Sequence, residues 1–423
     1  MTGTTLAPLS PQQDEMVRNL LDYPECVDRY DFVCLFRLDG PVDRAALAGA
    51  LEDVVRRHAA LRTVIRRHGD GYLQEIHPEP LVALDESRAD GDLAALTDAL
   101  AAGRHGADAV LSGAPLFRPG LHVLSGGVFL SLTIHHMVYD GWSLSALWRE
   151  LSECYTARVE KRSARLPELD WSYADFAAEQ RALVSTLLPE AVTFWREAAE
   201  GFSSQVPWPA PTASAGEPPL VLGHVPLRVP DHATAALRSA ARQARVSPSA
   251  VLLGATAAAV ARTTGWRSQL IGTDTAGRED RRKRHLVGHC VNSRFTAVTV
   301  EPGVPLVELA RRVWDQWAAA EKYRDVYSDL ILQELGLSRL FKVNLNSGRV
   351  TAQDVPALPG VGVTPVPVPV VIRDWRPLHV VWNVTPAQID ARLNYQRAGV
   401  DRSVADAFGR HALTVLENPL DAI

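Results

Sequence analysis

The sequence predicts an α/β protein with two lobes, and its length, the alternation of its segments and one Pro-rich break support that prediction. With 423 residues, the chain is too long for one ordinary hydrophobic core. Segments with the period of a strand alternate with segments with the period of a helix, which is typical of the α/β class. The clearest break is the Pro-rich connector near 206–219, which has the composition of a linker.

Apolar spacing and turn residues predict the individual elements. We predict a helix across about 43–58, a strand at 61–65, a strand at 220–229, an Ala-rich helical region at 232–264 and a helix at 305–322. A second Pro-rich stretch, 356–369, alternates valine with proline. Because proline cannot donate to a central ladder, we predict a loop or an edge segment there.

The most informative stretch runs from His135 to Ser143 and reads HHMVYDGWS. Residues 128–134 before it alternate with period two, which predicts a strand and puts His135 and His136 on opposite faces. After it, apolar residues at helical spacing predict a helix that begins near Asp140. His136 is therefore predicted at a strand-to-helix junction, where a side chain is both exposed and well held.

This arrangement suits the removal of a proton from a nucleophile that attacks an acyl group. Near neutral pH an imidazole accepts and returns a proton, so His136 is the candidate general base. Gly141 permits close approach of a ligand, and amide groups at the helix start suit a developing oxyanion. A metal site and a structural or decayed site are the alternatives. Metal ligation is disfavoured because no nearby Cys or His supplies further ligands at the usual spacing.

The motif and six other segments resemble the condensation domains of nonribosomal peptide synthetases, in the chloramphenicol-acetyltransferase-like superfamily. These segments follow the family order along most of the chain: LSPQQ (9–13), RHAALRT (57–63), YADFA (173–177), FWRE (194–197), VGHCVNS (287–293) and, more loosely, LFKVN (340–344). Two positions depart from the family pattern. Glu15 stands where an arginine is common, and Cys290 replaces the usual aromatic residue.

The resemblance implies a fold as well as a chemistry. It implies two chloramphenicol-acetyltransferase-like lobes that form a V-shaped pseudo-dimer with a tunnel between them. It places an N-terminal lobe carrying HHxxxDG at 1–175 and a C-terminal lobe at 176–423. Because the second lobe contains no second copy of the motif, we predict a single active site.

The resemblance also assigns roles to the residues of the motif. His136 is the predicted catalytic residue. His135 is predicted to have a structural hydrogen-bonding role, since two opposite faces cannot both point at one substrate. Asp140 and Gly141 are predicted to shape the loop after the catalytic histidine.

Residues outside the motif complete the predicted site. Arg62, in the RHAALRT segment, is the predicted partner of Asp140, and Arg294 is the alternative partner. Three side chains are predicted to line the tunnel: Trp142, Ser143 and Asn344. The charge run Arg281–Arg284 is predicted to be a solvated loop, with binding of a phosphate or of an acidic carrier surface as the alternative.

Composition and charge indicate which partners and which location to expect. The net charge of −5 gives no reason to expect nucleic acid. The N-terminus shows no basic region followed by an apolar core, and no run of 18 apolar residues appears, so neither a signal peptide nor a membrane span is predicted. Four cysteines without paired spacing are consistent with reduced thiols. We therefore predict a cytoplasmic protein and a monomer.

These observations lead to a functional hypothesis. The resemblance implies a condensation enzyme that forms an amide or ester bond. We expect it to be free-standing, because the 423 residues leave no room for adenylation or carrier domains. The acyl donor would be a thioester on the phosphopantetheine arm of an acyl or peptidyl carrier protein. The acceptor would be a small amine, an alcohol or a second carrier-bound substrate, and no metal or bound organic cofactor is expected. The alternatives are a coenzyme A-dependent acyltransferase of the same superfamily and an inactive recruitment module.

Overall fold

The computed structural model describes residues 3–88, 92–212, 220–337, 341–347 and 355–423, so part of the Pro-rich connector (213–219) lies outside the described residues. The chain forms two compact units. Unit 1 comprises Met1–Ala182, Ala276–Val291 and Val350–Ile372, and unit 2 comprises Leu183–Thr275, Asn292–Arg349 and Arg373–Ile423. The predicted C-terminal lobe includes the segments 276–291 and 350–372, whereas the structure groups both with unit 1. The V shape and the tunnel stay predictions.

The regular elements are numbered in chain order. The strands are β1 (Thr5–Pro8), β2 (Asp31–Asp39), β3 (Thr63–His68), β4 (Gly71–Ile76), β5 (Asp85–Arg88), β6 (Phe117–Leu124), β7 (Gly127–His135), β8 (Leu222–Arg228), β9 (Ser268–Thr275), β10 (Asn292–Thr299), β11 (Phe341–Ser347), β12 (Gly362–Val366), β13 (Leu378–Val384) and β14 (Ile389–Gln396). The helices are α1 (Pro11–Asp22), α2 (Arg44–Arg57), α3 (Leu93–Ala102), α4 (Ala107–Leu111), α5 (Gly141–Val159), α6 (Tyr173–Ala198), α7 (Asp231–Ala244), α8 (Pro248–Thr264), α9 (Leu306–Ala319), α10 (Ser328–Glu334) and α11 (Arg402–Glu417).

A five-stranded sheet in the order β12-β2-β7-β6-β5 forms the centre of unit 1. Its middle strand, β7, pairs antiparallel with β2 and β6, and Asp31 of β2 lies opposite His135. Residues of both faces of β7 are buried, including Phe129, Leu130 and Ile134. The strand therefore delivers the histidine pair at the end of a well-packed core element. A smaller sheet, β1-β4-β3, belongs to the same unit.

Unit 2 is built on a six-stranded sheet in the order β10-β9-β11-β13-β14-β8. Strand β11 runs parallel to β9 and β13, and the other neighbours are antiparallel. The Ala-rich helix α8 is buried from Ala250 to Ala261 in the main core of the unit. Small side chains allow such close packing of helices.

Several sequence predictions are confirmed. The predicted helix at 43–58 is α2, capped by Asp43, whose side chain accepts from the Ala46 amide. The helical region 232–264 forms two helices, and Ser247 caps the second one. The segment 356–369 contains an edge strand, β12, which pairs with β2.

Within the described ranges, no individual helix is long and apolar enough to cross a membrane. Taken together, α7 and α8 meet the same criteria of length and composition, as a pair bent by 112°.

Candidate active site

The site begins where β7 ends. His135 closes the strand, a 3-10 turn covers His136–Val138, and α5 starts at Gly141. Nδ1 of His136 lies 2.8 Å from the carbonyl oxygen of Tyr139. A carbonyl only accepts, so Nδ1 carries the ring proton and Nε2 keeps its lone pair. The local backbone thus fixes the tautomer that a base acting through Nε2 requires.

The surroundings of His136 keep it neutral. Burial lowers the pKa of His136 below its ordinary value, although the Asp140 carboxylate and the backbone hydrogen bonds partly oppose that shift. The imidazole also contacts two rings. Its centroid lies 5.0 Å from that of Tyr139 and 4.5 Å from that of His289, and the His289 ring is nearly perpendicular to it. At neutral pH this group is therefore an unprotonated base.

His135 is fully buried, which suits the structural role predicted for it. Its Nδ1 accepts a hydrogen bond from the Met137 amide at 3.2 Å. Burial lowers the pKa of His135 to about 3, against the opposing charge of Asp31. Its ring packs against those of Tyr30 and His105. The first histidine is thus a neutral core residue that helps to hold the turn.

A second buried histidine, His105, lies between α3 and α4 and supports this region through Asp31 of β2. His105 donates from Nδ1 to Asp31 at 2.7 Å, and its other ring nitrogen lies 2.9 Å from the Pro115 carbonyl oxygen. Burial on its own raises the pKa of Asp31, but the hydrogen bond from His105 and the nearby charges outweigh burial and lower it. Asp31 is therefore a buried carboxylate next to the histidine pair.

Asp140 caps α5 and is completely buried. Its side chain accepts from the Ser143 amide at 2.9 Å, and the Ser143 hydroxyl accepts from the Asp140 amide, which forms a capping box. Nη2 of Arg278 lies 2.7 and 2.8 Å from the two carboxylate oxygens. Burial raises the pKa of Asp140, but the Arg278 guanidinium and the hydrogen bonds from Ser143 and Cys290 outweigh it and hold the pKa below its ordinary value. Asp140 and Arg278 form a buried ion pair.

Both predicted partners of Asp140 are wrong. Arg62 donates instead to the backbone carbonyls of Val55 and His77, which ties the end of α2 to the chain after β4. Arg294 belongs to unit 2, where its guanidinium lies 5.3 Å from the centre of the Trp317 ring. The true partner was missed because nothing in the local sequence marks Arg278, which lies 138 residues from Asp140.

The VGHCVNS segment is bonded directly to the start of α5. The Gly288 amide donates to the Ser143 hydroxyl at 3.1 Å, and the Cys290 amide donates to Asp140 at 3.0 Å. A Cβ atom at Gly288 would lie 2.0 Å from the Tyr173 ring, and the backbone there has a φ of +154°. Only glycine fits this position.

The opening LSPQQ and the YADFA segments support the same turn. Nε2 of Gln13 donates to the Met137 carbonyl at 3.0 Å. The Tyr173 hydroxyl donates to the His289 carbonyl at 2.8 Å and lies 2.9 Å from the Ser10 hydroxyl. These motif residues position the backbone around His136.

The RHAALRT segment holds α2 against α5. Nε2 of His58 and Nε of Arg57 lie 2.7 and 2.9 Å from the same oxygen of Glu150, a fully buried carboxylate on α5. The helix that begins with the motif is thereby anchored near its middle, at Glu150.

The remaining predicted residues differ in setting. Trp142 is 39% exposed, and Gly141 is exposed with open space where a Cβ would lie, so both leave room beside the motif. Ser143 is buried and serves as the capping partner, not as a lining residue. Asn344 lies on β11 of unit 2. Leu340, the first residue of the LFKVN segment, lies outside the described residues.

The four cysteines are buried free thiols. Across the part of the chain that the structure describes, no group of three His, Cys, Asp or Glu side chains could hold a metal ion.

The fold and this site match one known family. Residues 5–418 match the family described as Condensation domain, and this chain belongs to it. Members of the family catalyse amide-bond formation by acyl transfer. The chain is 32% identical over 348 residues to phosphinothricin tripeptide synthetase PhsB of Streptomyces viridochromogenes, and the match covers 80% of this chain. It spans less than a third of the length of the curated relatives, 28% in the case of PhsB.

Solved structures share the fold. The X-domain in its complex with OxyB from teicoplanin biosynthesis has a TM-score of 0.82 and 24% identity, and the match covers 99% of this chain and 94% of that one. The condensation domain of the Monacolin K polyketide synthase MokA has a TM-score of 0.80 and 17% identity, with all of both chains covered. The condensation-domain fold predicted from the sequence is thereby confirmed.

Proposed function

We propose that this chain is an active condensation enzyme that transfers an acyl group from a carrier-bound thioester to an amine or alcohol. The observation that carries the proposal is the state of His136. Its Nδ1 proton is held by the Tyr139 carbonyl and its pKa is lowered by burial, so Nε2 is basic and unprotonated at neutral pH.

In the proposed reaction, Nε2 of His136 accepts and then returns one proton. The acceptor nitrogen or oxygen attacks the carbonyl carbon of the thioester while Nε2 of His136 takes its proton. The tetrahedral intermediate then expels the thiolate, which regains a proton from the imidazolium. One C–N or C–O bond forms, one C–S bond breaks, and His136 returns to its starting form.

Asp140 plays no part in this proton transfer. Its carboxylate is occupied by Arg278, by the amides of Ser143 and Cys290, and by the Ser143 hydroxyl. The ion pair joins the start of α5 to the 276–291 segment and so holds the turn that presents His136. It stabilises the geometry on which the base depends.

The donor is the second part of the proposal. Membership of the condensation family supports a phosphopantetheine thioester on an acyl or peptidyl carrier protein, with no organic cofactor resident in this chain. The acceptor is a small amine, an alcohol or a second carrier-bound substrate. The cytoplasmic location and the monomeric state stay predictions of the sequence.

A comparison of donors tests the proposal. The same acyl group is supplied on a carrier protein and on coenzyme A, with a panel of amines and alcohols, and the products are identified by mass. We expect a higher kcat/KM with the carrier protein, because contacts remote from the reacting carbon lower the barrier. Equal or better efficiency with coenzyme A would favour the coenzyme A-dependent alternative. The absence of product from both donors would favour the recruitment module.

A further inference from the structure

We propose that His289 is a positioning residue whose ring holds the imidazole of His136 in its reactive orientation. The consequence for turnover rests on the proposed function of His136, whereas the effect on the imidazole itself does not. Neither the HHxxxDG motif nor the general-base argument gives a role to His289. It lies in unit 1, in the segment 276–291.

The first step is the contact itself. The ring centroids of His136 and His289 are 4.5 Å apart, and their planes meet at 79°. Such an edge-to-face arrangement is a preferred geometry for two aromatic rings. The Tyr139 ring also contacts His136, at 5.0 Å and 31°. Two rings and the hydrogen bond to the Tyr139 carbonyl therefore define the plane in which Nε2 lies.

The second step is the rigidity of the segment that carries His289. The amides on either side of it, those of Gly288 and Cys290, donate to Ser143 and Asp140. Its own carbonyl accepts from the Tyr173 hydroxyl. His289 as a whole residue is only 7% exposed. His289 is thus fixed by the same residues that begin α5, so its ring is a firm support.

The third step concerns the movement of the His136 side chain that the His289 ring prevents. Without the His289 ring, the His136 imidazole gains space and samples other χ angles, in which Nδ1 loses the Tyr139 carbonyl. Conformers without that bond populate the other neutral tautomer and aim Nε2 elsewhere. Because catalytic groups must be held within fractions of an ångström, the rate falls while the binding of substrate is spared.

Nuclear magnetic resonance tests the contact without any substrate. The full chain is labelled with ¹⁵N-histidine, His136→Ala identifies the His136 signals, and the imidazole tautomer is measured in three forms at neutral pH. We expect a single tautomer protonated at Nδ1 in the wild type, a mixture in His289→Ala, and a single Nδ1 tautomer again in His289→Phe, which restores a flat ring. His224→Ala, an exposed histidine of β8 in unit 2, is the matched control and is expected to match the wild type.

Two results would overturn the proposal. A single Nδ1 tautomer in His289→Ala would show that the ring is not needed. A mixture in His289→Phe equal to that in His289→Ala would show that a ring nitrogen matters and not ring packing.

Turnover gives the second measurement, with the acyl thioester that the donor comparison identifies. We expect His289→Ala to lower kcat by about 10- to 100-fold with an unchanged KM for the acceptor, and His289→Phe to recover most of that loss. Wild-type kcat in His289→Ala, or no recovery in His289→Phe, would contradict the positioning role. If His136→Ala itself kept full activity, the general-base role of His136 would fail, while the tautomer measurement would still decide the role of His289.

Discussion

The imidazole of His136 donates its Nδ1 proton to the Tyr139 carbonyl oxygen, which leaves Nε2 as the nitrogen able to accept a proton from a nucleophile. His135, one residue earlier, has the reverse arrangement, with Nδ1 as the acceptor of a backbone amide. Adjacent histidines thus have opposite tautomers because the backbone offers a carbonyl to one and an amide to the other. This difference separates a candidate base from a core residue.

Removal of the candidate base gives the first prediction. We expect His136→Ala to lower kcat by about 10²–10⁴-fold, which is the usual contribution of a general base. His224→Ala, exposed on β8, serves as the control and is expected to leave kcat unchanged. Steady-state kinetics measures the effect, and circular dichroism verifies that both variants are folded. Near-wild-type turnover in a folded His136→Ala would rule out the general-base role.

The buried ion pair gives the second prediction. Loss of Asp140 or Arg278 leaves an unpaired charge in the core, so we expect Asp140→Ala and Arg278→Ala each to cost on the order of 3–5 kcal/mol of stability. The double variant should cost much less than the sum of the two, because the partners are coupled. Arg62→Ala is the control. The double variant of Asp140→Ala with Arg62→Ala should cost the sum of its two single variants, because these residues are not partners. Urea denaturation compares the wild type with the three single variants and the two double variants, and additive effects of Asp140→Ala and Arg278→Ala would contradict the pairing.

At the scale of elements, the local sequence pattern predicted helices and strands well, but it predicted few of the contacts between distant residues. The alternation before His135 and the apolar spacing after Asp140 identified β7 and α5, because these patterns reflect short-range geometry. The Val-Pro alternation excluded a helix and a central strand, but it left a loop and an edge segment both open where the structure has the edge strand β12. The RHAALRT segment was recognised, but its partner was not. Arg57 and His58 bind Glu150, and Arg62 binds two carbonyls, because the fold and not the spacing decides which distant groups meet.

The segment that contains Gly288 gives the third prediction. A methyl group there would overlap the Tyr173 ring, and the backbone has a positive φ, so we expect Gly288→Ala to lower the denaturation midpoint and to reduce turnover. Gly126→Ala, in the turn between β6 and β7, meets no atom within 4 Å and is the matched control. Thermal melting compares the two variants. Equal midpoints for the two variants would show that the backbone around Gly288 shifts to accommodate the added methyl group.

At the scale of the whole molecule, two histidines with lowered pKa values, the buried His135 and the partly buried His136, make stability depend on pH. The pKa of His135 is about 3 in the folded chain, and that of His136 is also lowered, so the unfolded chain takes up protons first as the pH falls below about 6.5. The folded state is then progressively disfavoured. Asp31, Asp140 and Glu150 have lowered pKa values and add a further loss only below about pH 4, where the unfolded carboxylates are protonated.

The fourth prediction concerns this loss of stability as the pH falls. We expect the free energy of unfolding to fall between pH 7.5 and pH 4.5, by up to about 1.4 kcal/mol per pH unit for each of these histidines. Urea denaturation across this range measures the slope. His135→Gln should reduce the slope of the free energy of unfolding against pH, whatever the variant does to stability at neutral pH. His224→Ala should leave that slope unchanged. A flat profile from pH 7.5 to pH 5.5 would contradict the neutral state of His135.

The sheet of unit 1 is completed by β12, which pairs with β2 although the two strands lie near opposite ends of the chain. During translation, the segment up to Ala182 therefore leaves the ribosome with an open edge along β2 and before Arg278, the partner of Asp140, has been synthesised. The edge of β2 stays unpaired until β12 has been synthesised. We expect a fragment that stops at Ala182 to aggregate, and a fragment that extends past Ile372 to be the first that forms a lasting site.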